Sequence, residues 1–466
     1  MHSGKIRLSA LDASFLALES STAPMHTGAL LLLDGAITLQ QARETIERGL
    51  TRAARLTTRL HNGAPGTVPT LEPDSSFKLE HHLRQVPVPP PYKARQVAEL
   101  AGRLFAPALR RYRPLWEMFL LSDGGHGRAV LGKLHHCVAD GIAGVDVLEA
   151  LFGPEQSSGL AIATSRYRRG VANPEEDKDN QAASPDAEAI STIARIMELL
   201  SRPQAAREQF GNLFNAAAMV ATGMFGAAQA LPFNGPLSNS RRIGWFEIDG
   251  VALNAIKRRF GCTVNDVVLT MVTGGVRTYL RELGHPTRKL MLRTLIPVSI
   301  RRQRPGGRTG NQVSGLVAPL PLAIAGAPRR LSEIVRVTRE LRSSGQAATL
   351  ARAVETVGNL TPWLVPVLGS MVFYRTIDLI CSSVPGPRHP LEIAGQRVET
   401  IVPLVPIPEG VWLGFGAMTY AGRLCIGINA DAALVGDLRP VLIGLKQAYA
   451  QLCRVAEVHG ESKMSG

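Results

Sequence analysis

Residues 131–144 read LGKLHHCVADGIAG. An apolar run ends in His135–His136, and Asp140–Gly141 follow after three residues. The run before them, RAVLGKLHH, has the pattern of a strand, and GVDVLEALFG after them reads as a helix closed by Gly153. Two imidazoles and a carboxylate therefore fall in a strand–turn–helix connection. A histidine aimed into a cleft from a strand end suits a general base, because its unperturbed pKa is about 6.5. A carboxylate four residues on can brace the backbone or pair with a distant arginine. Glycine beside it allows close backbone approach or a positive φ. No G-x-S-x-G elbow occurs, so such a base would activate the substrate itself and not an enzyme nucleophile.

Two blander readings stand beside this one. A buried histidine is commonly structural. Paired histidines near an aspartate also raise the question of a metal. Adjacent residues of a strand point to opposite faces, however, which is a poor geometry for one ion, and no metal is expected. A second pair, His81–His82 in KLEHHLRQVP, lacks the following Asp-Gly and precedes a proline run, so it reads as structural.

The chain has 466 residues, which makes two domains the natural expectation. Hydrophobic residues make up 45% and charged residues 19%, a globular composition. The formal net charge of +14 points to an anionic partner or surface: nucleic acid, anionic lipid and a phosphate-bearing cofactor all fit. Neither a P-loop nor a nucleic-acid-binding module is recognisable, so no nucleic-acid partner is expected. Cys137, Cys262, Cys381, Cys425 and Cys453 are scattered and never in a C-x-x-C pair, which suits a reduced intracellular protein. The N-terminus does not read as a signal peptide, because Asp12 interrupts any apolar core.

Residues 1–152 form a first α/β unit. GALLLLDG (28–35) reads as a buried strand ending in a turn, and a helix capped by Thr38 follows. PVPPPYKARQVAELAGRLFAPAL opens with prolines and turns helical. Residues 153–240 form a polar linker or crossover followed by an uncharged helical stretch. From Gln209 to Ser240 no charge occurs for 32 positions. Ala and Gly dominate this stretch, which argues for an interfacial, tunnel-lining or buried helix over a membrane span. Residues 241–466 form a second α/β unit. It contains a strand at RRIGWFEIDG, two helices joined by a short turn, strands at KLMLRTLIPVSIR and NQVSGLVAPLPLAI, a hairpin turning at Ala421–Gly422, and a closing helix over 436–456.

HHCVADG resembles the HHxxxDG signature of the CoA-dependent acyltransferase superfamily. LSALDASFLALESSTAPMHTGALLLLDG, Pro114–Leu115–Trp116, Asn265–Asp266, PVSIR (297–301), Gly310–Asn311 and SSVPGP (382–387) resemble, in order, the wax ester synthase/diacylglycerol acyltransferase family. The resemblance runs nearly end to end apart from the central linker. One departure is Ser383, where the family usually has Asn before Val-Pro-Gly-Pro.

That resemblance implies an α/β fold of two chloramphenicol-acetyltransferase-like lobes, each a mixed sheet flanked by helices, with the active-site tunnel at their interface. It implies acyl transfer from a long-chain acyl-CoA, a co-substrate and not a bound cofactor, to diacylglycerol. A fatty alcohol or another hydrophobic alcohol is the alternative acceptor, and a lipid-droplet or lipid-binding protein is the non-enzymatic alternative. His136 would be the general base, His135 supporting, Asp140 structural and Gly141 the residue that permits the tight loop. Arg301 is the candidate partner of Asp140. Pro114, Leu115 and Trp116 would lie near the acyl pocket, with core packing as the plain alternative. Asn265 and Asp266 would lie near the active centre, with helix capping as the plain alternative. The arginine loop RRQRPGGR (301–308) would attract CoA phosphates or anionic headgroups. Such substrates imply a cytoplasmic protein held peripherally at the inner face of the membrane or at lipid droplets.

Overall fold

A computed structural model describes residues 5–62, 68–154, 235–288, 290–299, 313–343 and 377–465. Most of the linker, almost all of the uncharged stretch 209–240 and the arginine loop with Arg301 and Gly310–Asn311 lie outside the described residues.

Two mixed sheets flanked by helices organise the described residues. In chain order the strands are β1 (Ile6–Arg7), β2 (His26–Ile37), β3 (Thr58–His61), β4 (Thr70–Pro73), β5 (Leu83–Pro87), β6 (Trp116–Asp123), β7 (His126–His135), β8 (Arg241–Asp249), β9 (Leu292–Ser299), β10 (Val313–Leu320), β11 (Leu379–Pro385), β12 (Glu392–Ile393), β13 (Gln396–Leu404), β14 (Leu413–Tyr420), β15 (Arg423–Asp431) and β16 (Ser462–Met464). The helices are α1 (Ala10–Leu18), α2 (Leu39–Leu50), α3 (Ala94–Phe105), α4 (Gly141–Phe152), α5 (Gly250–Phe260), α6 (Val264–Glu282), α7 (Ala327–Ser343) and α8 (Arg439–Val455).

The first sheet runs β12-β13-β2-β7-β6-β5 and the second β10-β9-β11-β14-β15-β8-β16, with β1, β4 and β3 in a small third sheet. Sheet membership does not follow the chain. β12 and β13 come from the C-terminal part, yet β13 pairs antiparallel with β2 along Val398–Leu404. To reach that position β13 crosses over the second sheet. A Cβ on Gly427 would lie 2.0 Å from the Pro403 carbonyl oxygen, and one on Gly416 would lie 2.8 Å from it. Only glycine permits so close a backbone approach.

Local chemistry explains several element ends. Thr38 caps α2 in a reciprocal box with Gln41, and Thr263 caps α6 in another with Asp266. α6 is apolar over most of its surface and forms the centre of the C-terminal core with Phe246, Phe415 and Leu445. The β14–β15 turn puts Ala421 and Gly422 at positive φ (46° and 75°), the backbone of a two-residue hairpin. GALLLLDG does not end its strand in a turn. β2 runs on to Ile37 through an irregularity in its pairing with β7. The strand WEMFLLSD (β6) has no clean alternation, because both its faces are covered, and it is not evident from sequence.

Candidate active site

β7 delivers the two histidines at its end. His135 is its last residue and is buried, and His136 begins the turn and is half-buried. Their backbones are fixed by neighbours from both sides: His135 N–H donates to Leu115 O (2.9 Å) and His136 N–H to Met25 O (2.8 Å). Asp140 then caps α4, its Oδ1 accepting from Ala143 N–H at 2.8 Å. Arg55 Nη2 donates to Cys137 O at 3.2 Å and braces the same turn. Arg301, expected to pair with Asp140, lies outside the described residues.

The two imidazoles face different surroundings. Nδ1 of His135 accepts from Cys137 N–H at 3.1 Å, which leaves the ring proton on Nε2. Nε2 lies 3.5 Å from Glu19 Oε1, and Arg111 holds the other carboxylate oxygen at 2.9 Å. Burial opposes the charge on Glu19, but the hydrogen bonds and charges of His135 and Arg111 outweigh it and hold its pKa at about 2. His136 instead lies against the Phe15 ring, stacked with centroids 4.0 Å apart. Burial lowers its pKa to about 4, helped by His135 and opposed by the Asp140 carboxylate. It is therefore neutral at neutral pH, the form that accepts a proton. Cys137 between these groups is fully buried, and burial first, then the charge of Asp12, pushes its thiol far up, so it is no nucleophile.

Gly141, at the start of α4, packs against β11 of the second sheet. A Cβ there would lie 3.2 Å from Val384 Cγ1 on β11. The neighbouring residue on β11, Ser383, projects to the opposite face and donates to Asn265 Oδ1 at 3.1 Å. One strand thus brings together the HHxxxDG turn, the Asn265–Asp266 pair and the SSVPGP segment, which are far apart in sequence. Asp266 itself is buried and structural in its contacts. It completes the cap of α6 and accepts from Thr338 Oγ1 at 2.8 Å.

Pro114, Leu115 and Trp116 are all buried at the entry to β6. Leu115 meets the site through its carbonyl. Trp116 packs inward, with Nε1 donating to Leu56 O at 2.6 Å. His82 stacks on the Trp116 ring at 4.6 Å and its Nδ1 lies 2.8 Å from Trp116 O, while Phe77 packs beside both rings, at 5.2 Å from His82 and 6.4 Å from Trp116. His82 is thus a structural neighbour of Pro114–Leu115–Trp116, a link that sequence spacing does not reveal.

Sequence reasoning assigned no roles to Phe15, Glu19, Met25, Arg111 or Arg55. The first three sit in the quoted N-terminal stretch. The available signal was Glu19 itself, a charge just past the end of the mostly apolar helical run ASFLAL.

The family model described as the wax ester synthase/diacylglycerol acyltransferase catalytic domain matches residues 8–268, and the WS/DGAT C-terminal domain matches residues 309–453. A probable diacylglycerol O-acyltransferase of Mycobacterium tuberculosis is 30% identical over 97% of this chain and 96% of its own. A putative diacylglycerol O-acyltransferase of Mycobacterium bovis matches at the same identity and coverage. Among solved structures, the wax ester synthase/diacylglycerol acyltransferase from Marinobacter aquaeolei VT8 superposes with a TM-score of 0.64 at 22% identity, covering 97% of this chain and all (100%) of that one. The first condensation domain of the calcium-dependent antibiotic synthetase superposes at 0.57 with 16% identity, over 98% of this chain and 97% of its own. These likenesses show the two-lobed acyltransferase fold. With both family models matched in order, the chain belongs to the wax ester synthase/diacylglycerol acyltransferase family of O-acyltransferases.

Proposed function

We propose that this protein transfers a long-chain acyl group from acyl-CoA to diacylglycerol, forming triacylglycerol, with His136 as general base. The observation that carries the reading is the placement of His136: a half-buried imidazole stacked on Phe15, just past the end of β7, in the turn that leads into the helix packed on β11. The acceptor hydroxyl attacks the thioester carbonyl carbon while His136 takes its proton. The tetrahedral oxyanion then collapses, the C–S bond breaks, and the proton passes to the CoA thiolate. The Asp140 carboxylate favours the imidazolium that forms in between. His135, held by Glu19 and the Cys137 amide, keeps the turn in register. Diacylglycerol leads because relatives that match over nearly the whole chain are named for it. A fatty alcohol is the second reading, supported by the Marinobacter structure's name; the same residues serve it.

Both acceptors reside in membranes or lipid droplets. The net charge of +14 supports peripheral attachment to such an anionic surface. Among the described residues no helix is long and apolar enough to cross a membrane. The test is transfer from palmitoyl-CoA to diolein and, in parallel, to hexadecanol, following free CoA and ester for wild type and His136→Ala. Loss of about 10²- to 10⁴-fold in the variant is the expected result. Equal rates would end the general-base assignment, and the dominant ester identifies the acceptor.

A further inference from the structure

The connection from α1 to β2, residues 19–25, touches both halves of the molecule. On one side it meets the histidines: Glu19 faces His135, Met25 O accepts from His136 N–H, and Met25 N–H donates back to Glu19 Oε1 at 3.3 Å. On the other it is gripped by the C-terminal part. Glu409, between β13 and β14, accepts from Ser20 Oγ (3.0 Å) and from Thr22 Oγ1. Arg241, at the start of β8, donates to Thr22 O and is held by Asp431 at 3.2 Å. Asp431 is fully buried and anchored by Ser238 and the amides of Ala433 and Leu434. Next to Thr22, Ala23 is buried in an apolar cluster whose other core members are Leu237, just before β8, and residues of the C-terminal part, among them Ile380 and Ile407.

We propose that Glu409 and Arg241 are positioning residues that act through this segment, so that the C-terminal part sets the placement of His135 and His136. The physical logic is a short tether under two-sided restraint. Only three residues separate the Thr22 grip from His26 on β2, and two separate it from Glu19. Releasing Ser20 and Thr22 lets Glu19 and Met25 move, and these are the groups that orient His135 and hold the His136 backbone. A small misplacement of a reacting group costs rate steeply. The proposal rests on His136 being the base in the reading above.

The experiment uses the full chain with Glu409→Ala, Glu409→Gln and Thr22→Val, each alone and in a Glu19→Gln background. Glu409→Ala should lower kcat for palmitoyl-CoA and diolein about tenfold with KM changed less than about twofold. Glu409→Gln keeps an acceptor oxygen and should restore most of the rate. Thr22→Val, which removes one donor without a volume change, should shift kcat in the same direction by less. In the Glu19→Gln background Glu409→Ala should add little, because both act on one path. Nitrogen-15 histidine spectra give a readout independent of turnover: Glu409→Ala should move the His135 and His136 resonances with the melting temperature kept. Unmoved resonances, or effects that simply multiply across the two backgrounds, overturn the proposal. If Glu409→Ala does not fold, Thr22→Val decides by the same criteria. Moved resonances in a protein that makes no ester would sink the acyltransfer reading and leave the tether standing. Normal esterification with unmoved resonances would sink the tether alone.

Discussion

At the scale of single residues, the site separates two adjacent histidines by giving each a different partner. His135 has a carboxylate and a backbone donor; His136 has an aromatic face and a desolvated environment. The pH dependence follows from their surroundings. His136 must be neutral to act and is held at about 4, so kcat/KM should stay level below neutral pH and fall only as pH drops through about 4. A limb centred near the ordinary histidine value would show that the ring is not desolvated. The sign for stability is the same as for activity. A folded pKa below the unfolded one gives a contribution that is present above pH 6.5 and is lost as pH falls towards about 4. Glu19 adds a second such contribution, present above pH 4.5 and lost as pH falls through about 2. Urea titrations at successive pH values, with His136→Asn and Glu19→Gln for comparison, should show each window flattened in its own variant. Glu19→Gln should also lower kcat by about tenfold, since the amide no longer neutralises Arg111 and orients His135 less well.

At the scale of elements, the turn and its helix are held by caps and close approach. Asp140 is the N-cap of α4, so Asp140→Ala should cost about 1 kcal/mol of folding stability from the cap alone. Asp140→Asn, which keeps the capping oxygen, should recover that stability while leaving the charge beside His136 absent. Comparing kcat/KM with the melting temperature for the two variants separates the cap from the charge. Gly141 is constrained differently. Its backbone is ordinary, but Val384 leaves a Cβ only 3.2 Å, so Gly141→Ala should slow turnover by pressing α4 away from β11. Val384→Ala in the same chain should restore it, and failure to restore would mean that Gly141 serves the reaction in another way. The Ser383–Asn265 bond is the matching link on the other face of β11. Replacing Ser383 with Asn, the residue usual in the family, lengthens the side chain at that contact, and kinetics on both acceptors would show whether acceptor preference moves.

At the scale of the whole molecule, β13 laid into the first sheet ties the two halves together, and it passes over the second sheet where glycines leave room. Gly427→Val should prevent that crossing and abolish cooperative folding, as read by the urea transition, because the Pro403 carbonyl cannot move without breaking its sheet. The local elements were legible in the sequence because each is decided by nearby residues: the capping residue Thr38, the positive-φ turn at Ala421–Gly422, the helical periodicity after Thr263, and the strand–turn–helix around His135–His136. Adjacent residues were enough to place two histidines at a strand end before a turn carrying Asp140 and Gly141, and the motifs in order pointed to the family. Which side chains surround those histidines emerged from the folded chain alone. Glu19 meets His135 and Val384 meets Gly141 across 116 and 243 positions of chain, counting from the residue numbers. β13 leaves its own sequence neighbourhood for the first sheet. The reason is physical. Capping, turns and periodicity are short-range preferences written in adjacent residues, whereas a lobe interface is a match between surfaces that exist only after the sheets have formed.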